Sequence, residues 1–116
     1  YYRGITMIEV INESKRLNQR IKETEEYKNY LNTKRALCDN IDLCNRLKEF
    51  RARNYELQNR QGVNPFDEVN DLVREYDEVL QNSVVSEFLR AEQKICKMMQ
   101  RVYNSISEGL EFDYLK

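Results

Sequence analysis

VVSEFLRAEQKICKMMQRVYNSI, running from Val84 to Ile106, contains no Gly and no Pro, and its apolar residues recur at helical spacing. Read in sevens, one row is Phe88, Ile95 and Val102. The next is Leu89, Cys96, Tyr103 and Leu110, and a third is Val85, Glu92, Met99 and Ile106. A surface helix usually buries a single apolar stripe. Three adjacent rows cover nearly half a helix circumference, more than one neighbouring helix can bury. The stretch therefore predicts a long helix, central to an all-α fold, that touches at least two neighbours. The rest of the chain is short of apolar residues for full cover, so a second subunit is expected to bury the remainder.

Glu92 lies inside one of these rows, with Phe88, Leu89, Ile95, Cys96 and Met99 around it. A buried carboxylate must be paired or neutralised. Glu92 thus either meets a cation from another helix or sits at the rim of an interface, and a snorkelling rim position is the plainer alternative.

Upstream, Met7, Val10, Ser14, Leu17 and Ile21 step by three and four, which predicts helix 1 over roughly Met7 to Lys22. Thr24 can cap a second helix, with Glu25 and Glu26 in its first turn. That helix presents Tyr27, Tyr30, Thr33 and Leu37 and should end near Asp39 and Asn40. Helix 3 is expected from Asp42 to Gly62, a good residue to follow a helix. Leu43, Phe50 and Leu57 form one of its heptad rows, and Leu47, Asn54 and Gln61 the other. Asp42–Arg46, Glu49–Arg53 and Glu56–Arg60 are acid-to-base pairs in the favoured i,i+4 order. QGVNPF is the one strong break: Asn64 can cap, and Pro65 suits a first helical position. Helix 4 then runs to about Leu80, Asn82-Ser83 reads as a kink, and helix 5 continues until Gly109 ends it.

Helix 3 carries five basic and three acidic residues between Asp42 and Gly62, whereas Phe66 to Leu80 holds six acidic residues and one Arg. A short turn joins the two, so an antiparallel hairpin with the basic arm against the acidic one is expected. The fold class read from the sequence is thus all-α. It has about five helical segments, built as an antiparallel helical hairpin with a long central C-terminal helix, and it self-associates. The 116 residues make a single domain. Residues 1–6 are expected to be disordered or extraneous to the domain, and 110–116 to form a tail.

Several function classes have no support. The chain has no histidine, which removes a Ser-His or Cys-His pair and any His-ligated metal. Three scattered glycines cannot build a phosphate-cradling loop. Carboxylates are plentiful but lie on solvated helix faces, with nothing to mark the pocket that general acid–base work needs. The net charge of −1 gives no global attraction to nucleic acid or membrane. No run approaches the ~18 apolar residues of a membrane span. An odd number of cysteines without a tight motif fits reduced thiols in the cytoplasm.

Cys38, Cys44 and Cys96 could pool in an oligomer around an iron–sulfur cluster or act as a thiol-redox sensor, but clusters usually take four thiolates at compact spacing. Helix 3 arginines could contact RNA, but acids interleave with them. Asn54, beside Phe50 and Leu57 in an apolar row, either fixes register or oligomer state, as buried Asn can do, or marks where helix 3 emerges into water.

Three segments carry a family resemblance: KETEEYKNY (22–30), FRARNYELQNRQG (50–62) and LVREYDEVLQNSVVSEFLRAEQKICKMMQRVYNSISEGL (72–110). From about Val10 to Leu110 the chain resembles the YlbF/YmcA family of small helical bacterial regulators. Its most specific marks are Phe50 followed by Gln58, Gln61 and Gly62, and the block Val85-Ser86-Glu87-Phe88 running into Ala91-Glu92-Gln93. The resemblance implies a non-enzymatic, self-associating protein of Gram-positive bacteria that takes part in competence, sporulation and biofilm control. It also implies association with helical paralogues and with ribonuclease Y in messenger RNA processing. Members that share iron–sulfur clusters use cysteines in a C-terminal tail, onto which Cys38, Cys44 and Cys96 do not map.

The expectation is therefore a cytoplasmic, non-enzymatic adaptor without a cofactor, working as a homodimer or higher oligomer. The residues expected at the self-association face are Leu47, Phe50, Asn54, Leu57, Phe88, Glu92, Ile95 and Met99.

Overall fold

The computed structural model describes residues 4–60, 62 and 65–111, and every regular element in them is an α-helix. The order is α1 (Met7–Lys22), α2 (Glu25–Asp39), α3 (Ile41–Gln58), α4 (Phe66–Glu75), α5 (Asp77–Gln81) and α6 (Ser83–Ser107).

Side-chain caps set most of the boundaries. Thr6, in the segment expected to be disordered or extraneous, caps α1 through a reciprocal box. Its Oγ1 accepts from the Glu9 amide at 3.2 Å, and Glu9 Oε2 accepts from the Thr6 amide at 3.3 Å. The T-x-x-E signature of such a box is present in the sequence. Thr24 accepts from the Tyr27 amide and donates to the Ile21 carbonyl, so one hydroxyl closes α1 and opens α2. Asn40 does the same between α2 and α3. Its amide reaches the Leu37 carbonyl, and its Oδ1 accepts from the Leu43 amide. Asn82 caps α6 through the Val84 amide at 2.9 Å.

Two boundaries differ from expectation. Helix α3 stops at Gln58 rather than running to Gly62, because Asn59 turns back and donates from Nδ2 to the Tyr55 carbonyl at 2.8 Å. Gly62 instead takes φ +73° in the turn beyond. The proposed cap Asn64 and the row member Gln61 lie outside the described residues. The single helix expected over Phe66–Leu80 is two helices, broken at Tyr76. Its apolar spacing runs on unbroken, so the cause is tertiary. The Tyr76 side chain is buried between Phe50, with ring centroids 5.6 Å apart, and the guanidiniums of Arg46 and Arg53.

The hairpin forms as the charge asymmetry implied. Arg60 bonds Glu68 at 3.0 Å and Arg53 bonds Glu75 at 2.8 Å. Seven residues back on α3 correspond to seven forward on α4, the register of antiparallel helices. These arginines therefore cross to the facing arm, and Arg46 pairs with Glu49. The i,i+4 pairs expected within helix 3 give way to these contacts. The Arg53 hydrogen bond holds the Glu75 carboxyl below its ordinary range, and the Arg53 pKa is raised in turn by its bonds to Glu75 and Tyr76.

Leu37, Cys44, Leu47, Leu72, Tyr76, Val79, Val85 and Phe88 form the core, with Ala91 also buried. Helix α2 lies along α6 more extensively than any other pair of helices. Tyr30 meets Phe88 with ring centroids 5.7 Å apart, and Glu26, one turn earlier, shares a groove with the later Lys94, so the two run antiparallel. The first part of α6 is thus held between α2 on one side and the α3–α5 hairpin on the other, which accounts for its adjacent apolar rows.

The molecule is elongated, 68 × 40 × 17 Å, with a radius of gyration of 20.0 Å. A compact domain of this size would have a radius of about 13 Å. The excess length comes from elements that reach past the core.

Candidate protein-interaction face

Helix α6 carries one continuous apolar stripe with two fates. In its first half, Val85, Phe88 and Ala91 are buried by the chain's own helices. The same stripe continues through Ile95, Met98, Met99, Val102 and Ile106, and from Ile95 onward none of these is buried. Tyr103 is 60% exposed and Ile106 57%. The chemistry of the helix does not change at Ile95; the core simply ends.

Helix α1 repeats the situation. Met7, Val10, Ser14, Leu17 and Ile21 line one face, yet α1 buries no residue at all. Met7 is 78% exposed and Val10 57%. Helix α1 leans on α2 and stands away from the distal half of α6. An open groove of about 590 Å³ separates them, with Leu17 on one wall and Met98, Val102 and Ile106 on the other. Lys94, Lys97 and Arg101 rim it, against the single carboxylate of Glu26. Water against this much apolar surface is unfavourable by about 25 cal/mol per Å². A contiguous apolar patch of this kind, rimmed by charge, is the usual mark of a protein-contact surface.

The eight residues expected at a self-association face fall in different places. Leu47 and Phe88 are buried in the chain's own core, and Phe50 and Leu57 pack partly against it. Asn54 is half-buried and accepts weakly from Gln58 at 3.5 Å. Glu92 is met by a cation from another helix, one of the alternatives its position allowed. Arg51 of α3 grips both its carboxylate oxygens. Ile95 and Met99 lie half-buried on the α6 stripe, beyond its buried first half. Sequence reasoning did not place Val10, Leu17, Ile21, Met98, Val102 or Ile106 at this face, although their helical spacing was visible.

Cys44 is buried in the core, whereas Cys38 and Cys96 are exposed on different helices. Among the described residues no three His, Cys, Asp or Glu side chains gather where they could hold a metal ion. Arg46, Arg51, Arg53 and Arg60 each engage a carboxylate within the chain. No helix among the described residues is long and apolar enough to cross a membrane.

Residues 10–111 match the family described as control of competence regulator ComK, YlbF/YmcA. The chain belongs to the YlbF/YmcA family. No curated protein and no solved structure matches it. The family match spans both the core and the two uncovered helical faces, from within α1 to beyond the end of α6. YlbF/YmcA proteins are a family of regulators of competence and development, not a known enzyme family.

Proposed function

We propose that this YlbF/YmcA protein is a non-enzymatic cytoplasmic adaptor that regulates by holding proteins together, as an oligomer. The process it serves is RNA processing or developmental regulation, with ribonuclease Y and related helical paralogues as the other partners. The observation that supports this reading is the apolar face of α1 and distal α6, which the chain's own core leaves uncovered. Helices this apolar are costly to maintain in water unless another protein covers them.

The test is an anaerobic affinity capture from a native host lysate, with the visible spectrum of the eluate recorded. Wild-type protein is expected to bring down ribonuclease Y in a colourless sample, and Val102→Asp, placed beyond the core, is expected to lose it. Ribonuclease Y absent from the wild-type eluate would overturn the assignment. Colour that disappears when Cys38, Cys44 and Cys96 become Ser would replace it with an iron–sulfur sensor.

A further inference from the structure

Helix α1 carries a regular charge arrangement. Glu9, Glu13, Arg16 and Arg20 follow one another at intervals of four, three and four. At 3.6 residues per turn these four fall within about 60° of one another, on one flank of the apolar seam. The spacing reads the same in both directions, and reversal exchanges acid for base. The seam of Met7, Val10, Ser14, Leu17 and Ile21 is spaced three, four, three, four. Its last four members, Val10, Ser14, Leu17 and Ile21, are spaced four, three, four, which reads the same in both directions.

We propose that α1 pairs antiparallel with α1 of a second copy of this chain about a two-fold axis. The proposal rests on the oligomeric reading above and names the helix and register through which it works. An isologous contact uses the same patch twice, so each favourable pair occurs twice. Facing Ser14 with Leu17 of the second copy also sets Val10 opposite Ile21 of that copy. The same register brings Glu13 beside Arg20 of the second copy, and Arg20 beside its Glu13. A parallel pairing would put the two charged flanks on opposite sides of the seam, where Glu13 meets no Arg20.

Three further observations fit this occupant. Among the described residues Glu13 is held only by Arg16, at 3.3 Å with both side chains mostly exposed, so little opposes a new partner. Ser14 donates its hydroxyl to the Ile11 carbonyl at 2.6 Å and brings no unpaired donor into the seam. The groove beside Leu17 is walled by Met98, Val102 and Ile106, so the incoming α1 is covered by distal α6 as well. The result is a four-helix bundle of α1 and distal α6 from each copy. Met7, Val10, Ile11, Tyr103, Ile106 and Leu110 are each about half exposed or more.

The experiment is sedimentation equilibrium on the full chain, comparing wild type with Glu13→Arg, Arg20→Glu and the double swap. Because α1 buries no residue, the helicity of α2–α6, read by circular dichroism, is expected to survive all three substitutions. Wild type is expected to dimerise, each single variant to weaken the dimer about tenfold, and the double swap to return close to wild type. A wild-type dimer with unchanged single variants, or one the double swap fails to restore, would overturn this pairing and leave the oligomeric reading standing. Wild-type protein that stays monomeric at every concentration would overturn both.

Discussion

Arg51 and Glu92, on α3 and α6, meet as a two-pronged ion pair: Nη1 donates to Oε2 at 3.0 Å, and Nη2 donates to Oε1. The Arg51 guanidinium also lies 5.6 Å from the centre of the Phe88 ring. The pair ties the charged hairpin to the helix that carries the interaction face, at the point where that helix leaves the core. Both side chains keep partial solvent contact, so the stabilisation is modest. Removing either one should cost about 0.5–1 kcal/mol. Urea unfolding of Arg51→Ala, Glu92→Ala and the double variant should give a coupling of similar size that shrinks in high salt.

The two halves of the α6 stripe should respond differently to truncation. Phe88 is 6% exposed within the core, so Phe88→Ala should cost about 3–5 kcal/mol in chemical unfolding. Phe88→Asp should prevent folding. Ile106→Ala removes a similarly apolar group from the uncovered half and should change the stability of the core by less than about 0.5 kcal/mol. Equal losses at the two positions would show that distal α6 belongs to the monomer core.

The hairpin should be sensitive to acid through Glu75. Its pKa in the folded chain lies below the ordinary 4.5, chiefly because Arg53 donates a hydrogen bond to the carboxylate. A depressed carboxyl stabilises the fold above the ordinary value, and this contribution is lost as pH falls through the depressed one. The melting temperature of wild type should therefore exceed that of Glu75→Gln near neutral pH. The gap should close in acid below about pH 4.5. Both side chains are about half exposed, so the gap is small.

The Thr6 cap should act locally. Thr6→Ala removes the acceptor for the Glu9 amide and should cost the start of α1 about 1 kcal/mol. Because α1 packs so lightly, amide exchange measured by NMR should quicken in its first turn while the core amides keep their wild-type protection.

Helix boundaries in this chain were largely legible because capping residues mark them. Thr24, Asn40 and Asn82 each stood where a helix had to begin or turn. The hairpin was legible from charge, since basic and acidic arms joined by a short turn have a natural way to meet. Three features were not readable. The break at Tyr76 arises from packing against Phe50, Arg46 and Arg53, which lie on another helix. The choice of Arg53 and Arg60 to cross the hairpin depends on where Glu75 and Glu68 come to rest. The partner of Glu92 lay forty-one residues away, and spacing within one helix carries no record of it.

The candidate face was half legible for a related reason. Apolar spacing shows that a stripe exists, but not where along the helix the core stops. Leu47 and Phe88 carry the same signal as Ile95 and Met99, yet the first two are inside the monomer and the others line its uncovered end. The helical stepping of α1 was equally clear, and only the fold reveals that it buries nothing.

Hydrogen–deuterium exchange across a range of protein concentrations tests most directly the claim that α1 and distal α6 form a protein-contact face. Residues 7–22 and 95–107 should gain protection as concentration rises, while residues 37–91 stay as protected as they were when dilute. Exchange in both arms that is independent of concentration would contradict the account.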